Sequence, residues 1–247
     1  MKKLVVVAVL LLFSCNSEDA GDCFRTAGEK IRREVEVGEF SRILVNENIR
    51  LVIREGTEYH VTVETGKNLV NDIRVRVQER QLVLSGDISC NLFRDYDETT
   101  VYVTAPDISE IRNSSQWDVR SDGVLTYPEL RIVSEDYQND YQNTGDFYLE
   151  LDTNSFSMVF NNLSNCFVKG KTQTLSIYLA AGNSRVDASG LEAGDVSIYH
   201  RSSNDIIVNP IQRLSGDIYS TGDLISVNRP PETTVTRHYK GALIFRY

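Results

Sequence analysis

Asn143-Thr144-Gly145-Asp146-Phe147, Leu163-Ser164-Asn165-Cys166, Asn183-Ser184-Arg185-Val186, Ser202-Ser203-Asn204-Asp205-Ile206 and Thr221-Gly222-Asp223-Leu224 repeat one pattern: a small residue among polar ones, then an apolar position. With Asn113-Ser114-Ser115-Gln116-Trp117 ahead of them, the small residues Ser115, Gly145, Ser164, Ser184, Ser203 and Gly222 stand 30, 19, 20, 19 and 19 apart. A second series keeps the same spacing: Phe156-Ser157-Met158, Leu175-Ser176-Ile177-Tyr178, Val196-Ser197-Ile198-Tyr199 and Leu214-Ser215-Gly216-Asp217-Ile218-Tyr219. Each period therefore holds two short alternating runs and a tight polar turn. A sandwich has no reason to repeat one turn at constant spacing, whereas a stack of coils does, because each coil lies on the one before. The expected fold is all-β, a right-handed β-helix or β-solenoid with coils of about 19–20 residues. The small residue would sit where successive chains approach closely or φ turns positive. Two irregularities stand out: Asp205 falls where other copies place an apolar residue, and Gly216-Asp217 reads as an insertion.

The period-two pattern starts well before the repeat. Ile43-Leu44-Val45, Ile49 to Ile53, His60 to Val63, Ile73 to Val77, Gln81 to Leu84 and Val101-Tyr102-Val103 alternate in short runs separated by Gly, Asn, Asp and Lys. No segment has the length and 3.6-residue periodicity of an amphipathic helix. Pro106, Pro128, Pro210, Pro230 and Pro231 all lie at run edges, where a missing donor breaks no ladder. A single β domain is expected over residues 35–247: an N-terminal part at 35–107, repeat coils at 108–228 and a C-terminal cap at 229–247. The one gap of 30 holds Asp136-Tyr137-Gln138-Asn139-Asp140-Tyr141-Gln142-Asn143, too long for the repeat. It is expected to protrude, and insertions on one face are where repeat proteins bind. Tyr137, Asp140 and Tyr141 are the candidate binding residues, since Tyr offers an apolar face and a polar tip; a plain solvated insertion is the alternative.

The N-terminus supplies an address. Met1-Lys2-Lys3 followed by the apolar run Leu4 to Phe13 has the form of an export signal, too short to span a bilayer. Its end, Leu12-Phe13-Ser14-Cys15, resembles the lipobox of bacterial lipoproteins, in which the chain is cut before the Cys and the Cys is acylated. Residues 1–14 are thus expected to be a signal peptide, Cys15 the lipid attachment site and 15–34 a polar tether. The acidic Asn16-Ser17-Glu18-Asp19 resembles the signal that carries many Bacteroidetes lipoproteins to the cell surface, so the expected location is the outer membrane, facing outward, with a periplasm-facing anchor the alternative. Of the remaining cysteines, a Cys23–Cys90 bridge would tie the lead segment to the folded body, a closure contributing roughly 3–5 kcal/mol. Cys166, alternating with apolar neighbours, reads as a small buried hydrophobe.

Composition narrows the function classes. The net charge is −9, and loss of Lys2 and Lys3 leaves 24 of the 26 basic residues against 35 acidic ones, a net of −11. Phosphate neutralisation needs surplus Lys and Arg, so nucleic acid is excluded as a partner, and anionic glycan or lipid is disfavoured. Three His and one Trp leave little for His-based metal or base chemistry, and no cofactor or metal is expected. There is no G-x-S-x-G, H-E-x-x-H, phosphate-binding Gly loop or C-x-x-C. Right-handed β-helices also serve polysaccharide lyases and hydrolases, so an enzyme of that class is one alternative. Asp187 and Asp205 could then be paired carboxylates, and Arg185, His200 and Arg201, near Glu192 and Asp195, the lyase groups. The simpler reading is that acids and amides such as Asn165, Asn183 and Asn204 serve the turns.

Several of these stretches resemble the GIN-domain family of autotransporter-adhesin head domains, common among Bacteroidetes lipoproteins. They are Phe40 to Val45, Asn48 to Gly56, Val61 to Leu69 and Gly216 to Asp223, and Cys23-Phe24 with Cys90-Asn91 looks like a pair that accompanies the family. The resemblance implies a β-helical fold and a surface-binding role, and it carries no catalytic motif. The expected function is a non-enzymatic, lipid-anchored envelope module that binds a neutral glycan or a surface protein. Besides the enzyme, a purely structural envelope protein is the other alternative. If the lipobox reading holds, Cys15→Ser abolishes incorporation of labelled palmitate; label retained on that variant would refute the anchor.

Overall fold

The structure, a computed structural model, describes residues 26–86, 99–135 and 143–246. Cys15, Cys23, Cys90, Tyr137, Asp140 and Tyr141 lie outside the described residues, as do the leader and most of the long insertion. The described residues form seventeen strands and one short 3-10 turn at Val70–Asp72. The strands are β1 (Lys30–Val35), β2 (Arg42–Val45), β3 (Arg50–Glu55), β4 (His60–Gly66), β5 (Ile73–Gln78), β6 (Gln81–Gly86), β7 (Thr100–Ala105), β8 (Glu110–Asn113) and β9 (Val119–Leu125). They continue with β10 (Glu129–Ser134), β11 (Phe147–Phe160), β12 (Cys166–Leu179), β13 (Val186–His200), β14 (Ile206–Ile218), β15 (Leu224–Ser226), β16 (Glu232–Arg237) and β17 (Leu243–Phe245). The fold is all-β, and branched pairing wraps one continuous sheet into a nearly closed, barrel-like form. Every run of alternating residues named above in the N-terminal part is a strand.

The pairings resolve into two ladders. The first runs β1, β4, β7, β3, β9, the first halves of β11 to β14, then β15 and β17. The second runs β5, β6, β2, β8, β10, the second halves of β11 to β14, then β16. From β3 onward in the first ladder, and from β2 onward in the second, all pairs are parallel. Both sequence series stack as their spacing requires. Phe147, Cys166, Val186, Ile206 and Leu224 are in register in the first ladder, and Phe156, Leu175, Val196 and Leu214 in the second. All of these side chains are buried. The ladders meet at the turns, where Phe147 and Phe160, at the two ends of β11, stack with ring centroids 5.3 Å apart.

Two close approaches need glycine. At the bend of β12, Gly170 has φ +112°, and a Cβ there would lie 2.0 Å from the Leu151 carbonyl oxygen. Gly216 has φ +131°, and its Cβ would lie 1.9 Å from the Ile198 oxygen. Gly216 and Asp217 are not an insertion: they stay in register with Ile198 and Tyr199. The slips in that pairing fall earlier: between Ala188 and Glu192, where β13 carries three more residues than β14, and between Ala193 and Asp195, where β14 carries one more.

Turn polar groups hold the backbone of the next rung. Asp146 Oδ1 accepts from the Asn165 backbone N–H (2.8 Å) and side-chain amide (3.0 Å), and Asn165 Oδ1 accepts from Arg185 N–H (2.9 Å). Asp205 Oδ1 accepts from Asp223 N–H at 3.0 Å, and Asp223 Oδ1 from Ala242 N–H at 2.8 Å. Asp205 therefore departs from the apolar pattern because its carboxylate caps a neighbouring turn. At this turn the buried serine is Ser202, not Ser203, and its hydroxyl donates to the Ser184 carbonyl at 2.7 Å. Cys166 is buried, and desolvation pushes its thiol well above the usual range, consistent with a packing role.

The N-terminal end follows different rules. β1 pairs antiparallel with β4, β4 with β7, and β5 with β6. The β5–β6 hairpin turns through Glu79 and Arg80, both at positive φ (49° and 58°), as a two-residue primed turn requires. The tether expected up to residue 34 is already in the sheet from Lys30. Charged residues on the two outer strands, among them Arg32, Glu34, Arg74 and Arg76, guard the edges against further pairing.

His200 belongs to the core. It stands in register between Leu179 and Ile218, fully buried, with the Gly222 and Asp223 backbone the polar groups beside its ring. Burial pushes its imidazole below the ordinary value of 6.5, against the opposing pull of Asp205 and Asp223. A folded-state pKa below that of the unfolded chain means the stability contribution is complete above about pH 6.5 and is lost as pH falls through the folded value. Urea melts between pH 7 and 5 should show that loss, at most about 1.4 kcal/mol per pH unit, and His200→Leu should flatten it. Gly170→Ala is expected to lower unfolding stability by about 2–4 kcal/mol, while Gly38→Ala, with nothing within 4 Å of its Cβ, should be near neutral in the same melts.

Candidate functional site

On the outer face of the first ladder the strands carry side chains alternately inward and outward, so parallel register also stacks the outward ones. Arg120, Tyr148, Phe167, Asp187 and Ile207 follow one another across β9, β11, β12, β13 and β14. The Arg120 guanidinium lies 4.1 Å from the Tyr148 ring centroid, and Tyr148 stacks on Phe167 with centroids 5.0 Å apart and planes 11° apart. That separation is close to the strand spacing, so backbone register sets the stack. Asp118 holds Arg120 at 2.6 Å. Partial burial, then Asp146 and Asp118, push the Tyr148 phenol up, so it stays protonated at neutral pH.

The stack lies in a groove of about 490 Å³ lined by Ser121, Tyr148 to Glu150, Phe167 to Lys169, Asp187, Ser189 and Gly190. Two breaks in register frame it. Between Tyr148 and Glu150 the partner strand β9 runs from Arg120 to Val124, two residues more than β11, and Ser121 Oγ accepts from Glu150 N–H at 2.9 Å. Between Phe167 and Lys169 the partner β13 runs from Asp187 to Gly190, one residue more than β12. Bulges of this kind bend a strand and re-aim its side chains, which opens the sheet surface between them. At the bulge, Asp187 Oδ1 accepts from Ser189 N–H (3.2 Å) and Ser189 Oγ–H (2.6 Å), and its Oδ2 lies 3.7 Å from Arg185. Lys169 pairs with Glu150 at 3.0 Å. The groove thus combines one apolar platform, a hydroxyl and charges that balance.

A second depression, about 350 Å³, lies on the same ladder between Arg32, Arg54, His60, Tyr102 and Asp122. It is crossed by ion pairs: Arg54 binds Asp122, and Arg32 binds Glu64 at 2.6 Å. On the second ladder Tyr178, Tyr199 and Tyr219 form an outward file that ends on His238, whose ring lies 4.2 Å from Tyr219 and whose Nε2 is 2.7 Å from Asp217.

Of the residues proposed from sequence for catalysis, the structure brings Arg185 and Asp187 together at 3.7 Å and gives the others separate surroundings. Asp187 sits in the groove, but Asp205 lies at a turn on the next rung, bonded to Asp223 N–H, while its carbonyl accepts from Val186 N–H at 3.2 Å. Asp195 faces Arg213 at 3.7 Å on the second ladder. Glu192 and Arg201 are exposed, and His200 is in the core. Among the described residues no group of three His, Cys, Asp or Glu could hold a metal ion, and no helix is long and apolar enough to cross a membrane. Sequence reading missed Tyr148, Phe167, Lys169, Ser189 and Gly190. Tyr148 and Phe167 did carry a signal, since they follow the inward positions Phe147 and Cys166 one repeat apart.

A family model described as "Putative auto-transporter adhesin, head GIN domain" matches residues 39–230. Among curated proteins none matches the chain in sequence. Solved structures do match. A crystal structure named as a putative adhesin from Bacteroides fragilis aligns with TM-score 0.80 and 19% identity, over 89% of this chain and 99% of that one. A protein named as putative lipid binding, from Parabacteroides distasonis, aligns at 0.64 and 13%, over 89% and 98%. A putative adhesin from Parabacteroides merdae aligns at 0.54 and 16%, over 89% and 97%. At these identities the likeness is one of fold.

Proposed function

The chain belongs to the family of auto-transporter adhesin head GIN domains, and on that premise we propose that it is a non-enzymatic binding module of the cell envelope. The observation that carries the reading is the groove around Tyr148 and Phe167, where two bulges open the sheet around an aromatic platform with balanced charge. Its partner is a neutral glycan or a surface protein, in keeping with a chain too acidic for anionic ligands. Lipid on Cys15 holds the module to the outer membrane with the stack facing outward, and the insertion with Tyr137, Asp140 and Tyr141 adds a second contact region. A Cys23–Cys90 disulfide ties the lead segment to the stack. The rungs wind as a right-handed β-helix, the hand that parallel crossovers adopt, and offsets of 19 to 21 residues between β11, β12 and β13 support that winding. Asp205 and His200 have structural tasks, which favours binding over catalysis.

The full chain, purified in mild detergent, can be probed on an array of glycans and extracellular matrix proteins. Saturable binding to a small set of these is expected. Absence of any binding, or turnover of a polysaccharide that is lost in Asp187→Asn, would overturn the reading.

A further inference from the structure

The ring stack on the first ladder has an open end. Phe167 packs on Tyr148 through one face, while on its other side the register places Asp187, which carries no ring, and then Ile207. Asp187 is short, and its carboxylate is drawn toward Ser189 and Arg185. Above it, between Phe167 and the next outward side chain, the distance is two strand spacings, about 9.5 Å. Subtracting the half-thickness of each wall leaves room for one saturated six-membered ring, about 4–5 Å thick. Gly190, at the bulge, adds no side chain to the space, and a Cβ there would already press on Lys169 at 3.1 Å.

The chemistry of the walls selects the ring. Phe167 offers an apolar face, whereas the rim offers the Asp187 carboxylate, the Ser189 hydroxyl and the Glu150–Lys169 pair. A purely apolar ring would take water from those polar groups and offer them no hydrogen bond in return. Two carboxylates, Glu150 and Asp187, are matched by two cations, Lys169 and Arg185, so the site attracts neither sign of charge. A pyranose meets both demands, with a C–H face for the platform and a circle of hydroxyls for the rim.

We propose that the slot above Asp187, between Phe167 and Ile207, binds one pyranose ring of a neutral glycan, its C–H face on Phe167 and its hydroxyls donating to Asp187, exchanging hydrogen bonds with Ser189 and accepting from Lys169. The assignment rests on the binding-module reading above and names its ligand. Neutral tetrasaccharides of glucose, galactose, mannose and N-acetylglucosamine, titrated into the full chain by calorimetry, provide the test, alongside the matrix-protein array. At least one sugar is expected to bind. Phe167→Ala should weaken it about tenfold or more, and Ser189→Trp, which fills the slot while keeping the platform, should abolish it. Phe167→Tyr should stay within about threefold, and Tyr178→Ala, on the other ladder, should match the parent. Thermal melts check that each variant is folded, so Ser189→Trp decides the matter if Phe167→Ala is unstable. Sugar binding that survives both groove variants, or binding of matrix protein alone, overturns the slot and leaves the binding-module reading standing. No binding to sugar or protein overturns both.

Discussion

Parallel in-register pairing is the constraint on which the rest of the molecule depends. From β8 through β15 each rung of backbone donors and acceptors is satisfied by the rungs beside it, so a residue's neighbours across the ladder are decided by register. Buried backbone groups left unpaired cost more than most side-chain contacts return, so side chains must accommodate the ladder. Like then stacks on like. Phe156, Leu175, Val196 and Leu214 fill one inward column, and the turn carboxylates and amides cap the N–H groups of the following turn. His200 shows the strength of the constraint, because an imidazole occupies an apolar column between Leu179 and Ile218.

The same constraint explains where a site can form. A perfectly regular ladder presents ribs at constant spacing and no hollow. The outer face departs from that at Ser121 to Gly123 in β9 and at Ser189 and Gly190 in β13, where one strand carries more residues than its neighbour. Between these bulges the groove opens, and the Arg120, Tyr148 and Phe167 stack that register builds is left with one uncovered face. The proposed site thus lies on the parallel part of the ladder, and the bulges supply its shape. The antiparallel strands at the N-terminal end have a different task, since they close the stack with charged edges.

Much of this was legible in the amino-acid order. The two repeat series named the inward columns of both ladders in β11 to β14, and the alternating runs named the N-terminal strands. The turn reading of Asn165 also agrees with its hydrogen bonds. Alternation reports which face a residue occupies, but not which strand lies beside it. Sequence order therefore did not reveal that β2 pairs with β6 and β8, or that β3 lies between β7 and β9. It also misplaced the slip at Gly216-Asp217, chose Ser203 over Ser202, and aligned Trp117 with Phe147, whose actual partner is Val119.

By itself, then, the sequence determined an all-β chain with a repeat of 19 or 20 residues, a net acidic charge and a set of inward apolar positions. Local composition suffices for these, because period-two burial and small residues at tight turns are properties of a few consecutive positions. Tertiary structure alone decided the two-ladder arrangement, the bulges and the groove. Each depends on hydrogen bonds between strands, and a shift of one residue in the pairing of β12 would carry Phe167 to the other face of the sheet.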